Sequence, residues 1–132
     1  MKSSIIYIHG NGGSAKEASH YQSFFTDADV IGFDYKAKSP WEAKKEFSPY
    51  FDSVFKDCKS VMIIANSIGA FFAMHALSDM PIERAYFISP NIVYIFLYIR
   101  NLLWEYPFLL NYQIKFHYNK ILTLNEKHTY WT

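Results

Sequence analysis

The sequence contains few of the residues that mark several large classes of protein. There is one cysteine among 132 residues, Cys58, which excludes an internal disulfide and leads us to expect a reducing, cytoplasmic location. Basic and acidic residues nearly balance, 13 against 12, so the chain offers no basic surface for nucleic acid. No spacing of histidine and cysteine resembles a metal site. We therefore expect no nucleic-acid partner, no metal and no other cofactor.

Long apolar segments are also missing. The apolar run at residues 5–8 is too short for the core of a signal peptide, and no stretch long enough to span a bilayer is free of charges. The nearest approach is 92–110, which Arg100, Glu105 and Pro107 interrupt. We expect no stable insertion into a membrane. If segment 92–110 is exposed, its apolar character favours self-association.

Up to residue 90 the sequence alternates between strand and helix patterns. Short β-branched and aromatic runs occupy residues 4–8, 29–35, 60–65 and 84–88, and the first of them lacks the alternation of a half-exposed strand. Each of the first three is followed by a segment with helical character. The alternation predicts an α/β fold with a doubly wound, mostly parallel sheet and helices on both faces.

Two of the predicted helices begin with a recognisable cap. Residues 14–17 and 39–42 both have the form of a capping box, in which a serine hydroxyl and a glutamate carboxylate bond the first free N–H groups. The second box also has Pro40 at the favoured first helical position. We predict one helix over about 15–25 and another from Pro40 onwards, which Pro49 should kink or force to restart.

The segment around Ser67 is the most informative in the chain. A short apolar strand ends in Ala65-Asn66-Ser67-Ile68-Gly69, and good helix formers follow to about Ser78. This is the sequence form of a nucleophile elbow, a tight strand-turn-helix with serine at the apex, although alanine replaces the first glycine of G-x-S-x-G. The alternative is a serine that caps an ordinary helix. This segment alone leaves both interpretations open.

A glycine-rich turn, His9-Gly10-Asn11-Gly12-Gly13-Ser14, follows the first strand. In open parallel sheets, ligands bind beyond the carboxyl ends of the strands. The turn, Asp34 and Ser67 each follow a predicted strand. We therefore expect all three at one edge of the sheet.

Taken together, residues 7–14 and 65–69 resemble two motifs of the α/β-hydrolase superfamily, and most closely those of its small, lidless bacterial members. The resemblance covers residues 1–90. It implies an esterase or thioesterase that transfers an acyl group from a small molecule to water, with Ser67 as the nucleophile. It also implies an oxyanion hole formed by the backbone N–H groups of Asn11 (or Gly12) and Ile68.

The remaining members of a catalytic triad are harder to assign. The family order is serine, acid, histidine, and the resemblance gives the role of base to His128, which follows a predicted last strand at 120–124. Candidate acids are Asp79, at the end of the helix after Ser67, and Asp34, which is out of chain order. The usual aspartate loop is not found before His128. An active hydrolase and a non-catalytic hydrolase fragment therefore both remain open.

The composition changes after residue 90. All five glycines lie at or before Gly69, and all ten alanines at or before Ala85. Residues 91–132 hold eleven aromatic residues and many residues with A/T-rich codons. We expect one domain over 1–132, with a hydrolase-like, truncated half at 1–90 and an atypical tail at 91–132. The tail is either native or an out-of-frame reading of an A/T-rich gene.

A dinucleotide site is the rival hypothesis. Residues 10–15 satisfy G-x-G-x-x-[GA] between a strand and a predicted helix, and Asp34 follows at about the expected distance. A Rossmann-like protein would use Gly10, Gly12 and Asp34 in this way. His9, directly before the fingerprint, favours the hydrolase interpretation, which also explains the segment around Ser67.

Overall fold

The computed structural model describes residues 2–88. They form a four-stranded sheet in the order β2-β1-β3-β4, in which all neighbouring strands are parallel. The strands are β1 (Ser3–Ile8), β2 (Ala28–Phe33), β3 (Ser60–Asn66) and β4 (Arg84–Ile88). The predicted α/β class is confirmed, and each predicted strand coincides with an observed one.

Helical segments connect the strands. The helix α1 (Pro40–Asp57) joins β2 to β3, and α2 (Ile68–Ala76) joins β3 to β4. Between β1 and β2 the chain forms two short 3-10 helices, Ala15–His20 and Gln22–Phe24. The two α-helices pack against each other, whereas the first 3-10 helix packs against β1 and β2.

Both faces of the central strand β1 are buried, as its unbroken apolar run predicts. Ile5 and Tyr7 pack with Ala18 of the first 3-10 helix and Ile64 of β3. On the opposite face, Phe33 of β2 packs against aromatic residues of α1; its ring is stacked on Tyr50 at 3.9 Å and meets Phe47 edge-on at 4.9 Å between centroids. These two layers fix β1 in the middle of the fold.

The chain changes direction across the sheet at β1. It passes from β1 outwards to β2, and then crosses to β3 on the other side of β1. Ile8, the last residue of β1, pairs with Ala65 of β3. In a doubly wound sheet the loops after two such strands diverge to opposite faces and leave a crevice where ligands bind. Here the corresponding position is at the turn 9–14 and Ser67, which follow β1 and β3.

The predicted Ser39 cap and the proline start are confirmed, whereas the glutamate half of the capping box bonds the N–H before Ser39. The Ser39 hydroxyl accepts a hydrogen bond from the Glu42 N–H at 3.2 Å, and Pro40 is the first residue of α1. The Glu42 carboxylate accepts a further bond, from the Lys38 N–H. The helix then continues through Pro49 to Asp57 without a restart. Pro49 is exposed, so water can satisfy the carbonyl that its missing N–H leaves free.

The first predicted helix has the expected bounds, but its capping box is wrong and it is not one continuous helix. The Ser14 side chain makes no capping hydrogen bond, and residues 15–24 form 3-10 helices separated at Tyr21. The Glu17 carboxylate accepts a 2.6 Å bond from the Tyr7 hydroxyl, so it does not complete a capping box. A contact between residues far apart in sequence therefore overrides the local helix signal.

A side chain closes part of the outer edge of β2. Gln22 Nε2 donates to the Ala28 carbonyl at 3.0 Å, and Gln22 Oε1 accepts from the Val30 N–H at 2.9 Å. An edge strand otherwise presents such groups unpaired. Gln22 thus replaces a neighbouring strand over this stretch of β2.

Several predictions concern residues beyond the described part of the chain. The strand at 120–124, His128, self-association through 92–110 and the origin of the tail all belong there. Within residues 2–88, none of the helices has the length and apolar character needed to cross a membrane.

Candidate active site

Ser67 forms the turn between β3 and α2 in a strained conformation. Its φ is 52° and its ψ is −120°, and no other non-glycine residue in the described part of the chain has a positive φ. This region of backbone space is nearly reserved for glycine and costs about 1–3 kcal/mol for other residues. An N-cap serine would instead have an extended backbone and a side-chain bond to the helix, which Ser67 does not make. The ordinary-cap interpretation is therefore wrong, and Ser67 forms a strained turn between a strand and a helix.

Backbone hydrogen bonds hold this turn on two sides. The Ser67 N–H donates to the Ile88 carbonyl of β4 at 2.9 Å, and the Ser67 carbonyl accepts from the Ala70 N–H of α2 at 3.1 Å. Ala65, the small residue at the start of the motif, is fully buried beside the end of β1. The strain persists because the flanking strands and helix fix the backbone.

Two glycines bring the glycine-rich turn and the Ser67 turn together. A Cβ on Gly69 would lie 2.3 Å from the His9 carbonyl oxygen, so α2 can start at this depth only without a side chain there. A Cβ on Gly10 would lie 3.1 Å from the Ser67 Cβ. The two motifs that the sequence separates by more than fifty residues are therefore in direct contact.

The glycine-rich turn is closed by a hydrogen bond from the Gly13 N–H to the Gly10 carbonyl at 3.1 Å. Gly12 has a φ of 75°, and both Asn11 and Gly12 are exposed at the tip of the turn. Ile68 is the first residue of α2, and the first N–H groups of a helix have no partner within the helix. The backbone N–H of Ile68 thus lies directly after Ser67, and Asn11 lies next to Gly10, which contacts Ser67.

His9 holds the start of the turn. Its Nδ1 lies 2.8 Å from the Gly10 carbonyl oxygen, which can only accept, so Nδ1 carries the proton in this bond. The ring is stacked on Tyr35 at 4.4 Å between centroids, and the Tyr35 hydroxyl donates to the His9 carbonyl at 2.7 Å. Burial, and then the charge of Glu46, raise the pKa of Tyr35 to about 12, so this hydroxyl stays protonated at neutral pH.

The Nε2 atom of His9 is buried and has no hydrogen-bond partner among the described residues. With the proton on Nδ1, this nitrogen is an acceptor. A buried acceptor without a donor costs free energy. His9 therefore contributes to the site through Nδ1 and the stacked ring.

The two candidate acids, Asp34 and Asp79, are both exposed. Asp34 follows β2 and pairs with Lys36 at 3.0 Å, with 68% of its side chain exposed. Asp79 lies exposed after α2. Among residues 2–88, no hydrogen bond joins the Ser67 side chain to a histidine or a carboxylate.

Sequence reasoning missed a pair of side chains behind the turn. Glu17 was expected to cap a helix and Tyr7 to fill the core, but they form the 2.6 Å hydrogen bond described above. Burial, together with the hydrogen bond and charge of Glu17, raises the pKa of Tyr7 well above its ordinary value. The available signal was weak: a tyrosine among the isoleucines of β1.

The part of the chain that the structure describes contains no group of three or more His, Cys, Asp or Glu residues arranged to hold a metal. No protein-family model matches the chain, and a comparison with curated proteins gives no match.

Proposed function

We propose that this protein is a serine hydrolase in which Ser67 attacks a small ester or thioester and transfers its acyl group to water. The observation that carries the proposal is the strained Ser67 turn in contact with Gly10 of the glycine-rich turn. A serine held in this way projects from a rigid apex between a strand and a helix. The N-terminal end of α2 also carries partial positive charge at the same place.

The oxyanion of the reaction would be held by the backbone N–H groups of Ile68 and of Asn11 (or Gly12). Ile68 lies at the start of α2, and Asn11 lies next to Gly10, which contacts Ser67. Rigid donors stabilise the charge that develops on the carbonyl oxygen. Loss of one such donor typically raises the barrier by about 3 kcal/mol.

The chemistry proceeds in two steps. The Ser67 Oγ bonds to the acyl carbon and gives its proton to a base, and the alcohol or thiol leaves with a proton from that base. Water then attacks the acyl-enzyme and releases the carboxylic acid. His128 is our proposed base, with Asp79 or Asp34 as its acid.

The geometry favours this function over dinucleotide binding. A pyrophosphate binds at the N-terminus of an α-helix, but a six-residue 3-10 helix follows the glycine-rich turn. The Glu17 carboxylate also lies 2.9 Å from where a Cβ on Gly13 would stand, so a negative charge faces the turn.

A non-catalytic hydrolase fragment is the second candidate. The observation that favours it is that, within residues 2–88, no imidazole or carboxylate bonds to the Ser67 side chain. A serine hydroxyl without a base is a poor nucleophile. The candidate would retain the Ser67 turn as a structural element only.

Hydrolysis of short-chain p-nitrophenyl esters tests the proposal. The full chain should release nitrophenolate, Ser67→Ala should reduce the rate to that of the solution reaction, and Ser23→Ala at an exposed position should leave it unchanged. A Ser67→Ala variant that keeps the wild-type rate would refute the nucleophile. A folded wild-type chain with no activity would favour the non-catalytic fragment.

A further inference from the structure

We propose that Tyr7 and Glu17 are positioning residues that fix the glycine-rich turn against the Ser67 turn and so pre-form the oxyanion hole. The inference rests on the proposed function for its catalytic meaning. The arrangement of the two side chains stands independently of that function.

Tyr7 and Glu17 are joined by a short hydrogen bond. The Tyr7 hydroxyl donates to Glu17 Oε2 at 2.6 Å, the distance of a strong hydrogen bond to a charged acceptor. Tyr7 is only 1% exposed, and its ring is stacked on Tyr21 at 5.2 Å between centroids. The donor is therefore rigid, and it determines where the carboxylate lies.

The Glu17 carboxylate also lies against Gly13 of the glycine-rich turn. Its two carboxylate oxygens lie 2.9 and 3.0 Å from the point that a Cβ on Gly13 would occupy. Gly13 in turn closes the turn through its bond to the Gly10 carbonyl, and Gly10 contacts Ser67. A displaced Glu17 would remove the support behind this turn.

Tyr7 also shares a face of the sheet with Asn66, the residue before Ser67. Tyr7 pairs with Ile64 of β3, so Asn66, two residues further along, projects from the same face of the sheet. Tyr7 thus lies between Glu17, to which it donates a hydrogen bond, and the end of β3 that leads into Ser67.

The test compares Tyr7→Phe, Glu17→Ala and Glu17→Gln in the full chain. Tyr7→Phe keeps the ring but removes the donor, whereas Glu17→Gln keeps an oxygen that can accept from Tyr7. Tyr50→Phe is the matched control, because Tyr50 is a stacked tyrosine of α1 on the opposite face of the sheet. If Tyr7→Phe alone does not fold, the double variant Tyr7→Phe/Glu17→Gln replaces it, since it leaves no unpaired charge.

Two measurements are made on each variant. Amide hydrogen exchange of residues 10–14 reports whether the glycine-rich turn is held, and it does not depend on any reactivity of Ser67. The second-order rate of labelling by a fluorophosphonate reports the oxyanion hole. We expect faster exchange and roughly 10- to 100-fold slower labelling in Tyr7→Phe and Glu17→Ala, with near wild-type values in Glu17→Gln and Tyr50→Phe.

The outcomes separate this inference from the proposed function. Wild-type exchange and labelling in Tyr7→Phe and Glu17→Ala would overturn the positioning role, even though Ser67 reacts. Equal slowing in Tyr50→Phe would also overturn it, because the effect would then follow stability alone. An unlabelled but folded wild-type chain would refute the proposed function and the catalytic part of this inference, and exchange would then decide whether the pair holds the turn.

Discussion

Gly69 lies directly against His9: a Cβ on Gly69 would stand 2.3 Å from the His9 carbonyl oxygen and 2.8 Å from that of Ile8. Both obstacles are backbone atoms at the end of β1, so no change of rotamer can relieve them. The start of α2 and the end of β1 are consequently locked together. This contact fixes how closely the start of α2, directly after Ser67, approaches the glycine-rich turn.

The first prediction concerns this contact. Gly69→Ala should lower the free energy of unfolding by about 2–3 kcal/mol, because the helix must move away from β1. Gly12→Ala is the control: open space surrounds Gly12, but its φ is 75°, so we expect a cost of only about 1 kcal/mol. Urea denaturation measures both. If Gly69→Ala were as stable as the wild type, α2 could not lie as close to the end of β1 as the structure has it.

The second prediction concerns the strain at Ser67. Glycine adopts a φ of 52° without penalty, so Ser67→Gly should be more stable than Ser67→Ala by about 1–3 kcal/mol. Position 53, exposed in the middle of α1, provides the control with the opposite sign. There, Ser53→Gly should be less stable than Ser53→Ala by about 1 kcal/mol. If glycine is the less stable choice at both positions, Ser67 is unstrained.

The third prediction concerns alkaline pH. The pKa of Tyr35 is raised to about 12 in the folded protein, against about 10 in an unfolded chain. As the pH rises, the unfolded chain therefore loses the Tyr35 proton before the folded protein does. The contribution of this difference to the free energy of unfolding is at its most favourable below about pH 10 and declines above it. We expect the free energy of unfolding to fall between about pH 10 and 12. Urea denaturation across this range should show that the free energy of unfolding falls less steeply in Tyr35→Phe than in the wild type. An identical fall in both would contradict the raised pKa of Tyr35.

The strands and the Ser67 turn could be predicted from sequence because their signals are local. The run from Ile5 to Ile8 is apolar at every position, as expected of a short strand covered on both faces, and all four residues are buried. The elbow pattern around Ser67 likewise spans five residues. The shared edge of a parallel sheet then led to the expectation that the glycine-rich turn and Ser67 lie together, and the contact between Gly10 and Ser67 agrees with it.

The segment between β1 and β2 could not be predicted in the same way. Its local pattern is that of a capped helix, but Glu17 bonds Tyr7, and Gln22 bonds the backbone of Ala28 and Val30. These partners belong to strands, and only the assembled sheet brings them within reach. The positioning pair behind the glycine-rich turn was missed for the same reason.

The nucleophilic role of Ser67 is the central claim, and one measurement tests it most directly. The full-length wild-type chain and Ser67→Ala are incubated with a fluorophosphonate, and the adduct is located by mass spectrometry of the intact chain and its peptides. We predict one adduct on the wild-type chain, on the peptide that contains Ser67, and none on the variant. Labelling that persists in Ser67→Ala, or a folded wild-type chain that takes up no label, would contradict it.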